Sequence, residues 1–357
     1  ISFGYSYSDD GEVLLSVSPG IALASGFAIP GGYTETSTNV YDADAGADQT
    51  TLWLENETDG VTVNSADGSL NVIRTGSGDD VITGTTGRML VNSGAGHDII
   101  VGGDGNDSLR GNEGNDAIFG GAGRDNIYGG AGADNLDGGD GLEDQVNYYL
   151  SDAAVMVDLS TNTVSGGFAE GDIIVNFERV YGSAYDDTIK GDGNDNQLSG
   201  GEGGYDVLHG GGGNDSFSSF EGEVYGDAGD DSFFFRDERY LDISFDGGEG
   251  QDTVIFWSDD ELNIDLSTFD ASNLEAIQII ASNDDRSENL NFTVQDVINL
   301  TDEDNILRIL GGDDADLVTS SGEGWVQGGT TVINSPLYGR DGLFDITFDI
   351  YTHGSGA

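Results

Sequence analysis

A nine-residue unit repeats seven times in register from Thr75 to Asp137, and no other feature of the chain restricts its fold so tightly. From Gly102 the units read GGDGNDSLR, GNEGNDAIF, GGAGRDNIY and GGAGADNLD, with glycine favoured at the first, second and fourth places, an acid at the sixth and an apolar residue at the eighth. A short fixed period marks a stacked architecture, because one unit cannot bury its apolar face alone and neighbours must pile up to make a core. The sixth places hold Asp80, Met89, Asp98, Asp107, Asp116, Asp125 and Asp134, and the eighth hold Ile82, Val91, Ile100, Leu109, Ile118, Ile127 and Leu136. An eighth unit, Gly138–Val146, carries one extra residue, which leaves Glu143 or Asp144 at the acid place.

Each place has a mechanical task. Six residues that turn the chain sharply need backbone conformations that side chains resist, so glycine recurs there. The remaining three form a strand whose middle side chain, at the eighth place, points inward. Two units then make one coil, and coils stack as parallel strands ~4.7–4.9 Å apart. Calcium takes six to eight oxygens at ~2.3–2.6 Å, so an ion between two stacked turns spans about the strand spacing, whereas magnesium wants ~2.0–2.1 Å and strict octahedral geometry. Turn carbonyls and sixth-place carboxylates are hard oxygen donors in the required place. The candidate ligands of the first array are therefore Asp80, Asp98, Asp107, Asp116, Asp125, Asp134 and Asp144, with the turn glycines Gly103, Gly105, Gly121, Gly123, Gly130 and Gly132.

Turns on the same side recur every second unit. The expected pairs are Asp80/Asp98, Asp98/Asp116 and Asp116/Asp134 along one edge, and Asp107/Asp125, continuing to Asp144, along the other. Met89 removes a carboxylate, so the Met89/Asp107 step is expected to be weak or empty of calcium.

The period breaks over 148–181, where VMVDL (155–159) and IIVNF (173–177) read as strands, and resumes at Gly182. The acid places of the second array hold Asp187, Asn196, Asp206, Asp215, Asp231 and Asp252, with Asp187/Asp206 and Asp215/Asp231 as expected pairs and every aspartate a candidate ligand. Asn196 keeps an oxygen and loses the charge.

Alternating apolar residues predict short half-buried strands over 1–64, and IALASGFAI (21–29) reads as a buried strand because no basic flank precedes it. YDADAGADQT (41–50) reads as an acidic surface turn, since a D-x-D-x-G calcium loop of the EF-hand type lacks its closing glutamate. TVQDVINL (293–300) has helical spacing, GGDDADLVT (311–319) resembles one more repeat, and FDITFDIY (344–351) reads as a strand. The expected organisation is an N-terminal β-rich module (1–74), a first roll (75–147), a strand-rich insert (148–181), a second roll (182–255) and a C-terminal β-rich module with one short helix (256–357).

Eleven basic against 67 acidic residues give a net charge of −56, which excludes nucleic acid and anionic membrane surfaces as partners. Such charge favours disorder unless cations offset it, and 36% hydrophobic residues recurring at a fixed period favour cation-dependent folding. There is no cysteine, so neither disulfides nor thiolate metal sites exist. No apolar run approaches the ~18–20 residues of a membrane span. The chain begins at Ile1 rather than Met, which reads as a processed product or part of something longer.

The blocks GGDGNDSLR and GGAGRDNIY, and the interruption VNYYLSDAAVMVDLSTNTVSGG, resemble the repeats-in-toxin, or hemolysin-type calcium-binding, family. The resemblance implies an all-β protein: parallel β-roll arrays with several calcium ions in their turns, flanked by β-rich modules and exported by type I secretion. The segment NLEAIQII…LTDEDNILRILGGDDADLV is similar to the ends of large bacterial surface adhesins.

No catalytic constellation is expected, because H-E-x-x-H and G-x-S-x-G are both missing and calcium would consume most paired carboxylates. His97 and His209 fall at or beside repeat turns, where solvent exposure is expected. Trp53, Trp257 and Trp325 lie outside the regular repeats and are expected to pack flanking modules. The expected function is a secreted structural or adhesive protein of the bacterial exterior that binds calcium and itself, a surface glycan or a surface protein. The alternative is the calcium-dependent export and folding module of a toxin or hydrolase whose catalytic domain lies elsewhere.

Overall fold

The computed structural model describes residues 40–43, 49–55, 57–65, 70–218, 221–235, 244–258, 270–274 and 276–281, with isolated strands outside these ranges. It forms two units, one of residues 1–189 with 201–203, the other of 190–200 with 204–357.

The first unit is built on two walls of parallel strands. One wall runs Gln49–Trp53, Leu70–Arg74, Arg88–Ala95, Ser108–Glu113, Asn126–Ala131, Gln145–Asn147 and Arg179–Tyr181. The other runs Val40–Ala43, Thr62–Asn64, Val81–Thr83, Ile99–Asp104, Ala117–Ala122, Asn135–Asp140 and Ile173–Val175. Register follows the repeat: Val91 pairs with Leu109 and Leu109 with Ile127, while Ile82, Ile100, Ile118 and Leu136 pair in succession on the opposite wall. A one-residue slip would turn every eighth-place side chain outward, so burial of that column pins the register.

Ile82, Ile100, Leu109, Ile118, Ile127 and Leu136 are fully buried, and Val91 nearly so. Each aliphatic side chain contributes ~1.5–3 kcal/mol. One per nine residues is a thin core for a chain so rich in glycine, whose ordering costs more conformational entropy than that of any other residue. The coils therefore depend on what happens in their turns.

The walls reach beyond the glycine-rich repeats. Upstream, Val63 pairs with Ile82 and Ile73 with Val91, and both Val63 and Ile73 are fully buried. The stretch 148–181 divides in two. Met156–Asp158 and Thr163–Ser165 form an antiparallel hairpin followed by a 3-10 turn at Gly167–Ala169. The chain then returns, so that Ile173–Val175 pairs with Asn135–Asp137 and Arg179–Tyr181 with Gln145–Asn147. The strand readings at 155–159 and 173–177 hold, and the second of them continues the wall.

The second unit also has two parallel walls. One runs Gln197–Ser199, Ser216–Ser218, Ser232–Phe235, Thr253–Ser258, Ala276–Ala281 and Arg308–Gly311. The other runs Asp206–Gly212, Gly222–Ala228, Ser244–Asp246 and Asp270–Ser272. The interior gains aromatic rings beside Leu198, Leu208, Val224 and Val254: the Phe217 and Phe233 rings stack at 5.0 Å, and the Phe235 and Phe256 rings at 5.3 Å. Larger rings fill a coil whose length varies from turn to turn. Phe27–Ile29 and Phe344–Thr347 are strands within the stretches 21–29 and 344–351 read as strands, and Leu317–Ser320 is a strand at the end of the repeat-like block 311–319; the burial expected over 21–29 lies outside the described residues. The helix predicted over 293–300, most of the acidic turn at 41–50, and Trp325 lie outside the described residues. Trp53 ends a wall strand of the first unit, with the Arg74 guanidinium 5.2 Å over its ring.

Candidate metal centres

The sixth-place aspartates are buried, although they sit in turns. One oxygen of each has a structural partner in the neighbouring coil. On one edge, Oδ1 of Asp98 accepts the Asp80 N–H at 2.8 Å, Asp116 accepts from Asp98 at 2.8 Å, and Asp134 accepts from Asp116 at 2.8 Å. On the other, Asp107 accepts from Met89, Asp125 from Asp107 and Asp144 from Asp125, at 2.7–2.8 Å. The extra residue of the eighth unit thus places Asp144 at the acid position, and Glu143 lies outside it, exposed and paired with Arg124. The expected pairs of the first array are neighbours along these two edges.

The second oxygen differs. Oδ2 of Asp80, Asp98, Asp107, Asp116, Asp125, Asp134 and Asp144 is buried and accepts no hydrogen bond, and the same holds for Asp215 and Asp231 in the second unit. An unpaired buried carboxylate oxygen costs several kcal/mol unless something else pairs it. Where the first place of the unit is glycine, that oxygen lies in a cradle of backbone, whereas Thr75 and Ser93 hold the first place in the units of Asp80 and Asp98. A Cβ added at Gly111 would overlap Asp116 Oδ2 and meet Gly129 O, and one added at Gly102 would overlap Asp107 Oδ2 and Gly120 O. Gly120 with Asp125 and Gly138 O, and Gly210 with Asp215 and Gly226 O, repeat the arrangement. First-place glycine thus keeps open a space bounded by one carboxylate oxygen and the carbonyl of the next coil.

That donor set fits calcium. The donors are oxygens only, at least one of them anionic, repeated at the coil spacing. Among the described residues no group of three acidic, histidine or cysteine side chains forms a metal cluster, and the turn carbonyls beside each carboxylate are the further protein donors at hand. Calcium held by these oxygens would supply the positive counter-charge that the buried carboxylates lack. The turn glycines Gly103, Gly105, Gly121, Gly123, Gly130 and Gly132 all have positive φ, from 99° to 153°, and each stacks directly on backbone of the preceding coil.

Burial pushes the carboxyls up from their ordinary value. Asp80, Asp107, Asp125 and Asp144 rise to about 6, and Asp116, Asp134, Asp215 and Asp231 to about 7, with desolvation the leading cause and hydrogen bonds opposing it. The calcium-free fold therefore holds protons that the unfolded chain, titrating near 3.8, has released. Stability falls with rising pH wherever the folded state binds more protons. The calcium-free chain is accordingly expected to retain more β structure at pH 5 than at pH 8, while calcium binding weakens below about pH 6 because protons compete. Circular dichroism in chelator at the two pH values checks this, and greater order at pH 8 would contradict it.

Met89 interrupts the row of carboxylates on one edge, and the structure shows what stands there instead. Its side chain is fully buried, and a Cβ at Gly84 would overlap Met89 Sδ and Gly102 O. The sulfur thus occupies the cradle that Asp Oδ2 holds elsewhere, and a thioether is a soft donor with little affinity for calcium. Met89→Asp is expected to add at least one calcium per chain in a calorimetric titration. An unchanged stoichiometry would mean that the step is closed for another reason.

Three places depart from the array. Asp172, not foreseen from the sequence, takes a sixth place after the hairpin: its Oδ1 accepts the Asp134 N–H at 2.8 Å and its Oδ2 accepts the Tyr148 hydroxyl at 3.0 Å. The signal was the aspartate just before the IIV strand, hidden by the excursion that precedes it. Asp187 accepts the Val155 N–H and the Ser183 hydroxyl at Oδ1 and the Ser183 N–H at Oδ2, so protein donors engage both of its oxygens. Asn196 Oδ1 accepts the Asp192 N–H, and its own N–H donates to Asp215 Oδ1. In the second unit Asp215 accepts from Asn196, Asp231 from Asp215 and Asp252 from Asp231, one step beyond the expected Asp215/Asp231 pair. Asp206 is buried with Oδ2 against Gly200, and Asp252 with Oδ2 beside Gly247.

A second ladder runs along the fifth places. Asp79 Oδ1 accepts the His97 N–H, His97 Nδ1 accepts from Asn115, and Asn115 Oδ1 accepts from Ala133. Asp195, Asn214 and Asp230 repeat it in the second unit. Fifth-place and sixth-place N–H groups point to opposite neighbouring coils, so side chains cap both, and His97 is a rung of this ladder.

Comparison with known families adds one match. A family model of the RTX calcium-binding nonapeptide repeat, four copies long, matches residues 66–88, 92–127, 110–141, 177–204 and 201–219. Comparison with curated proteins gives no match.

Proposed function

We propose that this chain, an RTX calcium-binding repeat protein, is a structural or adhesive element of the bacterial exterior, without catalytic activity of its own. Proteins built on this repeat are typically exported by type I secretion and meet calcium outside the cell. The ions would be held by the carboxylates of Asp80, Asp98, Asp107, Asp116, Asp125, Asp134 and Asp144, by those of Asp206, Asp215, Asp231 and Asp252, and by carbonyls of the turn glycines. Asp187, engaged by Ser183 and Val155, is the weakest of the expected ligands.

The observation that carries the structural reading is the continuation of the walls beyond the glycine-rich repeats. Val40–Ala43 and Gln49–Trp53 in the first unit, and Thr253–Ser258 and Ala276–Ala281 in the second, add rungs to the same parallel ladders. A chain that spends its flanks on more ladder suits a stiff element of a layer, filament or adhesin better than an export tag. Light scattering of the purified chain against calcium concentration tests the reading. Assembly that appears with calcium and reverses with chelator supports it. Strict monomers at millimolar calcium, with no adhesion to bacterial surface glycans or proteins, would favour an export and folding module for a catalytic domain carried elsewhere.

A further inference from the structure

We infer that residues 148–189 form a block that folds without calcium, in which Tyr148 and Ser183 do for Asp172 and Asp187 what the ion does for the aspartates of the array. The inference rests on the calcium reading of the sixth-place carboxylates and concerns the two that depart from it. Asp172 occupies the cradle edge after Asp134, yet its Oδ2 receives the hydroxyl of Tyr148, which is 2% exposed. A hydroxyl donor neutralises the need that leaves Asp116 Oδ2 and Asp134 Oδ2 unpaired two and one steps earlier. Asp187 is closed differently, by the backbone N–H and hydroxyl of Ser183 and the N–H of Val155. The ion column along Asp80, Asp98, Asp116 and Asp134 therefore stops at Tyr148.

The same residues carry a denser core than the array. Val155, Val157, Leu159, Ala169, Ile174 and Val180 are buried within a stretch shorter than three repeats. Its hairpin and the Ser151 turn are local in sequence, and wider closures join its ends. The hairpin pairs Val157 with Val164, Ser151 Oγ donates to Ala153 O and accepts the Phe168 N–H, and Thr188 N–H donates to Val155 O at 3.0 Å. The hairpin closes cheaply, and the wider closures, Tyr148 to Asp172 and Val155 to Asp187 and Thr188, are made by protein donors and need no ion. Its Ile173–Val175 strand then offers a ready edge on which Asn135–Asp140, and the coils before it, can stack when calcium arrives.

Hydrogen–deuterium exchange of the full chain in EDTA at neutral pH tests this. The amides of Tyr148, Asp172 and Thr188 should stay protected, exchanging on the order of a hundredfold more slowly than those of Asp98, Asp107 and Asp116. Loss of protection across both groups would overturn the block and leave the calcium reading intact. Full protection of both would overturn the calcium reading itself. Tyr148→Phe keeps the ring and removes the hydroxyl, and should speed exchange in the block roughly tenfold in EDTA. No change in that variant would remove Tyr148 from the role assigned to it.

Discussion

Removing calcium from the full chain is expected to dissolve the parallel walls over 81–140 and 206–235, seen as loss of the β signal in far-ultraviolet circular dichroism and its return when calcium is restored. The size of the effect follows from the turns. The steps Asp80–Asp98, Asp98–Asp116, Asp116–Asp134, Asp107–Asp125 and Asp125–Asp144 each bring one carboxylate against the neighbouring coil. An ion that binds only the folded form adds ~1.4 kcal/mol per site when its concentration is tenfold above Kd, so five steps add about 7 kcal/mol. That is a whole domain's stability, typically ~5–15 kcal/mol. Without the ion, the buried Oδ2 atoms face neither water nor a donor, and the net charge of −56 opposes compaction. A circular dichroism spectrum unchanged by EDTA would show that the coils hold themselves together by other means.

The array was legible in the sequence because every place in it answers one physical demand. Aspartate at the sixth place predicted both the two edges and their pairing, and isoleucine or leucine at the eighth predicted the buried column. Met89 was legible as a gap, although only the geometry reveals that its sulfur fills the cradle beside Gly84. The continuation of the walls was harder to read. Val63 and Ile73 face inward as Ile82 does, but their turns lack the glycine signature, and inward residues ten and then nine apart are a weak pattern alone. Asp172 was hidden because the hairpin at 156–165 separates it in sequence from the coil it completes. The fifth-place ladder leaves no clear mark in the sequence for another reason. Asp, Asn and His serve it equally by accepting one N–H, so no single residue type marks it.

The turn glycines offer the sharpest test of the stacked architecture that is separable from the ion. Gly123 has φ of +132°, and a Cβ there would overlap the carbonyl oxygen of Gly105 in the preceding coil and lie 2.6 Å from its carbon. Neither atom is the end of a flexible side chain, so relief requires the two coils to part. Gly123→Ala leaves every carboxylate and every carbonyl donor in place and adds only that methyl group. The left-handed backbone costs an L-residue ~1–2 kcal/mol, and overpacking against rigid backbone costs ~1–3 kcal/mol more. A loss of about 2–5 kcal/mol is expected, read as a rise in the calcium concentration needed for half-folding by circular dichroism. Gly193→Ala supplies the contrast, because nothing lies within 4 Å of a Cβ there and its φ is not positive. That substitution is expected to stay within ~1 kcal/mol of the parent, toward greater stability, since alanine restricts the unfolded chain. A Gly123→Ala chain that folds at the parent's calcium concentration would mean that adjacent turns are not packed backbone to backbone. The carbonyls of one coil would then stand too far from the next to share an ion with it, and the cradle geometry would fall with the stacking.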